Sequence, residues 1–384
     1  MKHLRGIAWD HIRGYAPLVE ASKQFMEMHP DVSVIWDKRS LEDFESYPIE
    51  ILAQKYDLLT IDHPFVGTGV NGKIIEALDS WVPEEFLLGQ KAHSVGPSYQ
   101  SYTWEGHQWA LPLDAAAQVS AYRLDLLSSL NLSVPKTWDD VLDLTRALPN
   151  DLKVGIPLSP THAYSTFVTV CAHLAEEEFW DQNGIDVEVA GEALYFIRKI
   201  LPELHPDSLA SNPIQMSETM SKVNEIVYVP FVFGYSNYAR PGFAPFVLHF
   251  GDIPTIGSRP PKGSILGGVG IAMSAYSEEK TVASEFIQYV TSEPFQVGAY
   301  FEVGGQPGHL KAWTSELNNS KSNHFFKNTQ QTLELSYIRP RNQGYPSFQI
   351  EAGEVIHSFL RSGEDRAATV KELNRLYKEL TQFA

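Results

Sequence analysis

A chain of 384 residues exceeds what one hydrophobic core usually organises, so two units of roughly 150 to 200 residues are expected. Its 47 acidic against 30 basic residues give a formal charge of −17 with no long basic run, which argues against nucleic acid or an anionic membrane surface as partner. Cys171 is the only cysteine, excluding an internal disulfide and a thiolate zinc cluster, and no apolar run approaches the roughly 20 residues that span a bilayer.

Lys2 and Arg5 could open a charged leader, but no apolar core of roughly 7 to 15 residues follows them. Either a leader has been removed, giving an extracytoplasmic protein, or a chain starting at Met1 works in the cytoplasm. Gly6 to Trp9 reads as a first strand, and Leu18, Ala21, Phe25 and Met28 then share one face of a helix over 15–28. Val32, Val34 and Trp36 alternate as in a second strand, and Leu58 to Ile61 is a third. Strand, helix, strand, helix, strand is the α/β signature with parallel pairing.

Ligands of such sheets sit outside the carboxyl ends of the strands. That rule selects Asp10, His11 and Arg13 after the first strand, and Asp62, His63 and Phe65 after the third. They offer carboxylates and imidazoles as acceptors, a guanidinium for an anionic group and a ring for stacking. The plainer reading has Asp10 capping the first helix and His63-Pro64 turning the chain. Gly67, Gly69 and Gly72 match the spacing of a dinucleotide loop, but only Lys73 to Leu78 follows before Asp79-Ser80-Trp81-Val82-Pro83. A true fingerprint needs a long helix there, so a flexible turn is expected.

Gln108 to Leu113 reads as a short extended piece broken by Pro112, and Val119 to Tyr122 as a separate strand. A helix and a Pro-marked turn follow. Thr137 and Asp140 have the spacing of a capping box at the start of the next helix. Lys153 to Leu174 suggests a strand, a Pro-containing turn and a buried helix in which Cys171 is an inert thiol. An amphipathic helix runs around 192–201. Ile226 to Phe233 is a continuous apolar strand that leads into Gly234-Tyr235-Ser236-Asn237-Tyr238-Ala239-Arg240. A helix starting near Ser277 buries Val282, Phe286 and Val290, and two helices, separated by Ser362-Gly363, close the chain.

Two stretches resemble the extracellular solute-binding protein family 1, the binding components of ABC importers for sugars and related solutes. In the first, Gly106, Trp109 to Pro112, Tyr122, Asp125 to Leu127, Pro135 and Thr137 to Asp140 stand at the family's positions. Arg123, Leu124 and Asn131 depart from them. In the second, Gly267, Gly268, Gly270, Ala283, Phe286, Ile287, Val290 to Ser292, Gln296, Gly304 and Pro307 keep their places.

The resemblance implies a periplasmic-binding-protein-like α/β fold of two lobes joined by a hinge, with a ligand cleft between them. The first lobe would be 1–112 with 266–310, and the second 113–265 with 311–384. It further implies that the cleft lies near Pro112 to Asp114, that Thr161, His162 and Tyr164 face it, and that Gly267 and Gly268 let backbone approach a ligand. The family's sugar-stacking Gly-Trp is replaced by Gly234-Tyr235, so Tyr235 and Tyr238 would stack instead, while Asp114 accepts from hydroxyls. Arg240 would favour a carboxylate. Arg339 and Tyr345 could reach the same place.

The expected function is solute capture by hinge closure, with ABC permease subunits as partners if the protein is exported. A monomer is expected, with neither cofactor nor metal. The alternative is a leaderless cytoplasmic binding or sensor protein for a small organic acid. An enzyme is not expected, since no metalloprotease, nucleophile-elbow or P-loop motif occurs, although Asp62, His11 and His63 could meet in space.

Overall fold

The computed structural model of the protein describes residues 1–381 apart from Glu177, Ser258 and Glu364. The elements used below, in chain order, begin with strand β1 (Lys2–Trp9), helix α1 (Ile12–Met28), β2 (Val32–Arg39), α2 (Leu41–Ser46), β3 (Leu58–Ile61) and α3 (Val66–Asn71). The long strand β4 (Ala110–Tyr122) follows, then α4 (Trp138–Ala147), β5 (Lys153–Val154), α5 (Pro160–Leu174), α6 (Val187–Ile200), α7 (Pro213–Lys222) and β6 (Ile226–Phe233). The series ends with β7 (His249–Gly251), β8 (Leu266–Met273), α8 (Lys280–Thr291), α9 (Tyr345–Ser362) and α10 (Arg366–Leu380).

The chain forms two compact units. Unit one takes in Met1–Ala116, Gly267–Ser320 and Arg339–Pro346, and unit two Ala117–Leu266, Lys321–Ile338 and Ser347–Ala384, of which residues 382–384 are not described. In unit one the strand order is β2-β1-β3-β8-β4. β1 is parallel to β2, from Lys2 opposite Val32 to Trp9 opposite Arg39, and parallel to β3, while β8 runs antiparallel to β3 with Gly270 opposite Ile61. Alternation splits β1 between two layers. Leu4 and Ala8 join Leu18 and Phe25 of α1 and Phe286 of α8 in one core cluster, and Ile7 joins Leu59, Ile61 and Ala272 in another. Gly6 leaves room for Trp36, whose ring a Cβ there would meet at 2.3 Å.

In unit two the order is β7-β4-β6-β5, with β4 antiparallel to both β6 and β7 and β6 parallel to β5. The Thr137–Asp140 capping box starts α4 as its spacing requires. Trp138 then stacks on Phe196 at 4.1 Å and on Phe231 at 5.9 Å. Arg123, which departs from the family pattern, is fully buried: its guanidinium donates to Asp125, to the carbonyls of Met220 and Val223 and to Asn224 Oδ1, and lies over the Phe246 ring.

Three sequence expectations are corrected. Pro112 does not break the chain into two strands, since β4 is continuous over thirteen residues. Its neighbour's carbonyl, that of Leu113, instead accepts from the Gly308 N–H at 3.3 Å and from Gln296 Nε2 at 3.2 Å, so the strand is held without a donor at Pro112. The glycines at 67 and 69 lie inside helix α3 rather than in a flexible turn. A Cβ on Gly67 would lie 1.9 Å from the Arg341 carbonyl oxygen, so close backbone approach explains the glycine there. His11, not Asp10, caps α1, its Nδ1 accepting from the Arg13 N–H at 3.0 Å.

Gly268 has φ +101, and a Cβ there would sit 2.4 Å from the Asp114 carbonyl oxygen and 2.9 Å from Ala115 Cα. Gly268→Ala combines a left-handed penalty with overpacking against main chain, so it should cost about 2–4 kcal/mol. Urea denaturation of the two proteins measures this, and an unchanged midpoint would show that the two strands can separate without loss.

Candidate functional site

The carboxyl ends of β1 and β3 in unit one gather charged groups that the sequence scatters over more than 300 positions. Arg13, in the first turn of α1, donates through Nε to Asp114 Oδ2 at 2.7 Å and through its second terminal nitrogen to Asp114 Oδ1. Both side chains are buried. Burial pushes the Asp114 carboxyl up and the Arg13 guanidinium works against that push. β4 is held around Asp114 by two glutamines. Gln306 Nε2 donates to the Ala115 carbonyl at 2.9 Å, and Gln296 accepts the Gly308 N–H at 2.8 Å while donating to Leu113.

A second buried pair lies beside β3. Asp62 caps the turn His63–Phe65, accepting the His63 N–H at 2.8 Å, and its two oxygens take one Arg339 nitrogen at 2.8 and 2.6 Å. Burial alone would raise this carboxyl, but the Arg339 charge and the bonds to His63 and Arg339 hold it down at about 2. His63 is fully buried and edge-on to Tyr102. Its Nε2 accepts the Arg339 backbone N–H at 3.2 Å, so the proton belongs on Nδ1, which lies 3.2 Å from Asp62. Burial first, then the Arg339 charge, lowers its pKa to about 4, which keeps the ring neutral. Half-buried Glu45 on α2 is pushed up to about 8, by burial and then by Asp62.

The other expected residues take up the following positions. Asp10 is exposed and paired with Lys38 at 2.9 Å. Phe65 is buried in the cluster of Ile61 and Tyr102. His11 is committed to its cap, and among the described residues no group of three or more His, Cys, Asp or Glu could hold a metal ion. Gly268 approaches main chain of its own unit, and Gly267 is half-buried.

In unit two the Tyr235 and Tyr238 rings follow the carboxyl end of β6 and meet edge-on at 6.5 Å, both buried. The Tyr238 hydroxyl donates to Glu218 Oε1 at 2.6 Å. Half-buried Arg240 ends the same turn. Tyr164 is fully buried in α5 against Phe348, so packing accounts for its ring.

Residues 8–297, about three quarters of the chain, match the family of bacterial extracellular solute-binding proteins. The chain belongs to that family. Three solved structures share its fold over nearly the whole length of both chains. A solute-binding protein of an ABC transporter from Agrobacterium radiobacter, in complex with ribitol, is 19% identical with a TM-score of 0.82, covering 99% of this chain and 98% of that one. Maltose-bound MalE3 of T. maritima is 15% identical with a TM-score of 0.83, covering 99% and 100%. A solute-binding protein from Thermotoga lettingae with bound alpha-D-tagatose is 17% identical with a TM-score of 0.80, covering 99% and 100%. The fold is therefore the two-lobed α/β fold of periplasmic binding proteins, and the charged groups above are those of a solute-binding protein.

Sequence reasoning missed two features of this edge. Glu45 had no signal, because its perturbation comes from burial in the folded chain and then from Asp62, seventeen positions on. Arg339 was noted, but not as the partner of Asp62, 277 positions away.

Two outcomes follow for unit one. Asp62→Asn leaves the Arg339 guanidinium buried without its carboxylate, and should cost about 3–5 kcal/mol in chemical denaturation, whereas exposed ion pairs cost little. Stability should also be highest on a plateau between about pH 4.5 and 6.5, where the opposite slopes of His63 and Glu45 cancel. Because His63 titrates near 4 when folded and near 6.5 when unfolded, acidification through that window removes stability. Because Glu45 titrates near 8 when folded against an ordinary value of 4.5, raising the pH from 4.5 to 8 also removes it. Glu45→Gln should thus outlast the parent at pH 8 but not at pH 4.5, and an equal offset at both pH values would contradict the assignment.

Proposed function

We propose that the protein is the solute-binding component of an ABC importer and captures a neutral polyhydroxy solute, a sugar or polyol, by hinge closure of its two lobes. The observation that carries this reading is the commitment of the cations in unit one. Arg13 is forked onto Asp114, and one Arg339 nitrogen meets both oxygens of Asp62. Arg341 donates to the carbonyls of Gln100, Ser101 and Thr103 at 2.8, 3.2 and 2.7 Å.

A carboxylate solute meeting these groups would have to displace one of their buried partners, at a cost its own ion pair would only match. A neutral solute asks only for hydrogen bonds and stacking faces, and Tyr235 and Tyr238 follow a strand's carboxyl end as such faces. The ribitol, maltose and alpha-D-tagatose of the related structures are all neutral polyhydroxy compounds. In this reading the partners are permease subunits, the compartment is extracytoplasmic, the working form is a monomer, and there is no turnover.

A thermal-shift panel with ribitol, D-mannitol, maltose and D-tagatose on one side and sugar acids and dicarboxylates on the other tests this. A solute at a hundred times its Kd adds about 2.7 kcal/mol, a clear rise in melting temperature. Stabilisation by at least one neutral compound is expected, and stabilisation by acids alone would overturn the neutral-solute reading.

A further inference from the structure

Trp9 is the last residue of β1, opposite Arg39 in the sheet and next to Asp10. Its ring is held on several sides. Gly14 of α1 packs so closely that a Cβ there would lie 2.4 Å from the indole, and Phe44 of α2 meets it at 5.5 Å, with Val269 and Leu41 completing the cluster. The residue is 3% exposed, and its indole Nε1 has no hydrogen-bond partner among the described residues.

Four other indoles of unit one are satisfied: Trp36 donates to Ser22 Oγ at 2.9 Å, Trp81 to Glu76 at 3.4 Å, Trp109 to the Trp104 carbonyl at 2.9 Å and Trp313 to the Pro307 carbonyl at 2.7 Å. Trp104 also lacks a partner, but it is half-buried in the short strand Thr103–Trp104 under the Arg341 guanidinium, away from the strand ends in question. A buried donor left without an acceptor is costly, and native structures rarely keep one without a use.

The position of Trp9 supplies a use. It stands at the carboxyl end of a parallel strand, packed with Val269 of β8 and level with Ile61, the last residue of β3 before Asp62, where open α/β sheets take their ligands. Around it Arg13 is matched by Asp114 and Arg339 by Asp62, and Arg39, opposite it, donates to the Thr60 and Asp43 carbonyls. We propose that Trp9 is a ligand-binding and specificity-determining residue whose indole N–H donates to a hydroxyl or ether oxygen of the bound solute. An indole donates only, carries no charge and cannot titrate. It therefore suits a neutral acceptor at any pH, and it meets that acceptor on a ring already fixed by Gly14 and Phe44, so little freedom is lost on binding.

This inference rests on the solute-binding reading above, and the test separates the two. The full chain is prepared with Trp9 replaced by benzothienylalanine, which keeps the ring's shape but lacks the N–H, and with Trp9→Phe as a second variant. Each is titrated calorimetrically with ribitol and with maltose, and melted without solute. The expected result is an unchanged melting temperature for the solute-free benzothienylalanine protein with about tenfold weaker binding, which corresponds to roughly 1.4 kcal/mol. Equal affinity for the parent and the benzothienylalanine protein overturns the assignment. A lower melting temperature of the solute-free variant does so too, because the N–H would then already serve the fold. If the parent binds neither of these nor any other neutral compound of the panel above, the neutral-solute reading and this role fall together, a failure visible without any variant.

Discussion

The buried pairing of Arg13 with Asp114 fixes how unit one is put together. One partner sits in the first turn of the first helix and the other on β4, 101 residues later. Removing both charges from water costs several kcal/mol per ion, and their attraction roughly repays that only because the geometry is forked and dry. Its return is registration more than stability. The fork sets the height of α1 against β4, and with it the His11 cap and the loop after β1. The same stretch of β4 is then pegged by Gln296, Gln306, Gly308 and the bare Cα of Gly268. A strand that starts with Ala-Leu-Pro and carries three consecutive alanines has little intrinsic reason to be long, and these contacts supply one.

The second pair uses the same physics for a different end. Asp62 and Arg339 bind the segment Arg339–Pro346 to unit one, and Arg341 adds three carbonyls while its own carbonyl fits the space left by Gly67. His63 completes the arrangement only while neutral, because its Nε2 must accept from the Arg339 N–H. The chain's charge of −17 therefore misdescribes this edge, where both buried carboxylates are matched by guanidiniums. Local pairing decides what a solute meets there, and net charge only describes the protein's behaviour at long range.

Most of the fold was legible because it is written locally. The alternation of Val32, Val34 and Trp36, the run Leu58 to Ile61 closed by Asp-His-Pro, the run Ile226 to Phe233 and the Thr137 box all exist as read. What failed was whatever depends on residues far along the chain. Pro112 signals a break until Gly308 and Gln296 are known to hold its neighbour, and Gly67 signals a loose turn until Arg341 arrives. The strand-end rule drew attention to Arg13 and Asp62, and the resemblance to Asp114, without revealing that they answer to other charges. Trp9 passed as a strand residue, since an unpartnered N–H has no signature in sequence.

The same distinction between groups already used and groups still available applies in unit two. By the resemblance, Tyr235 stands where the family carries a stacking tryptophan, and the loss of a larger ring could suggest a change of ligand class. Yet the Tyr238 hydroxyl is spent on Glu218, and the edge-on contact between the two rings fixes their planes. With its hydroxyl so engaged and its ring also edge-on to Phe243 at 5.1 Å, Tyr238 is held as firmly as a core residue, and the Arg240 guanidinium ends the same turn.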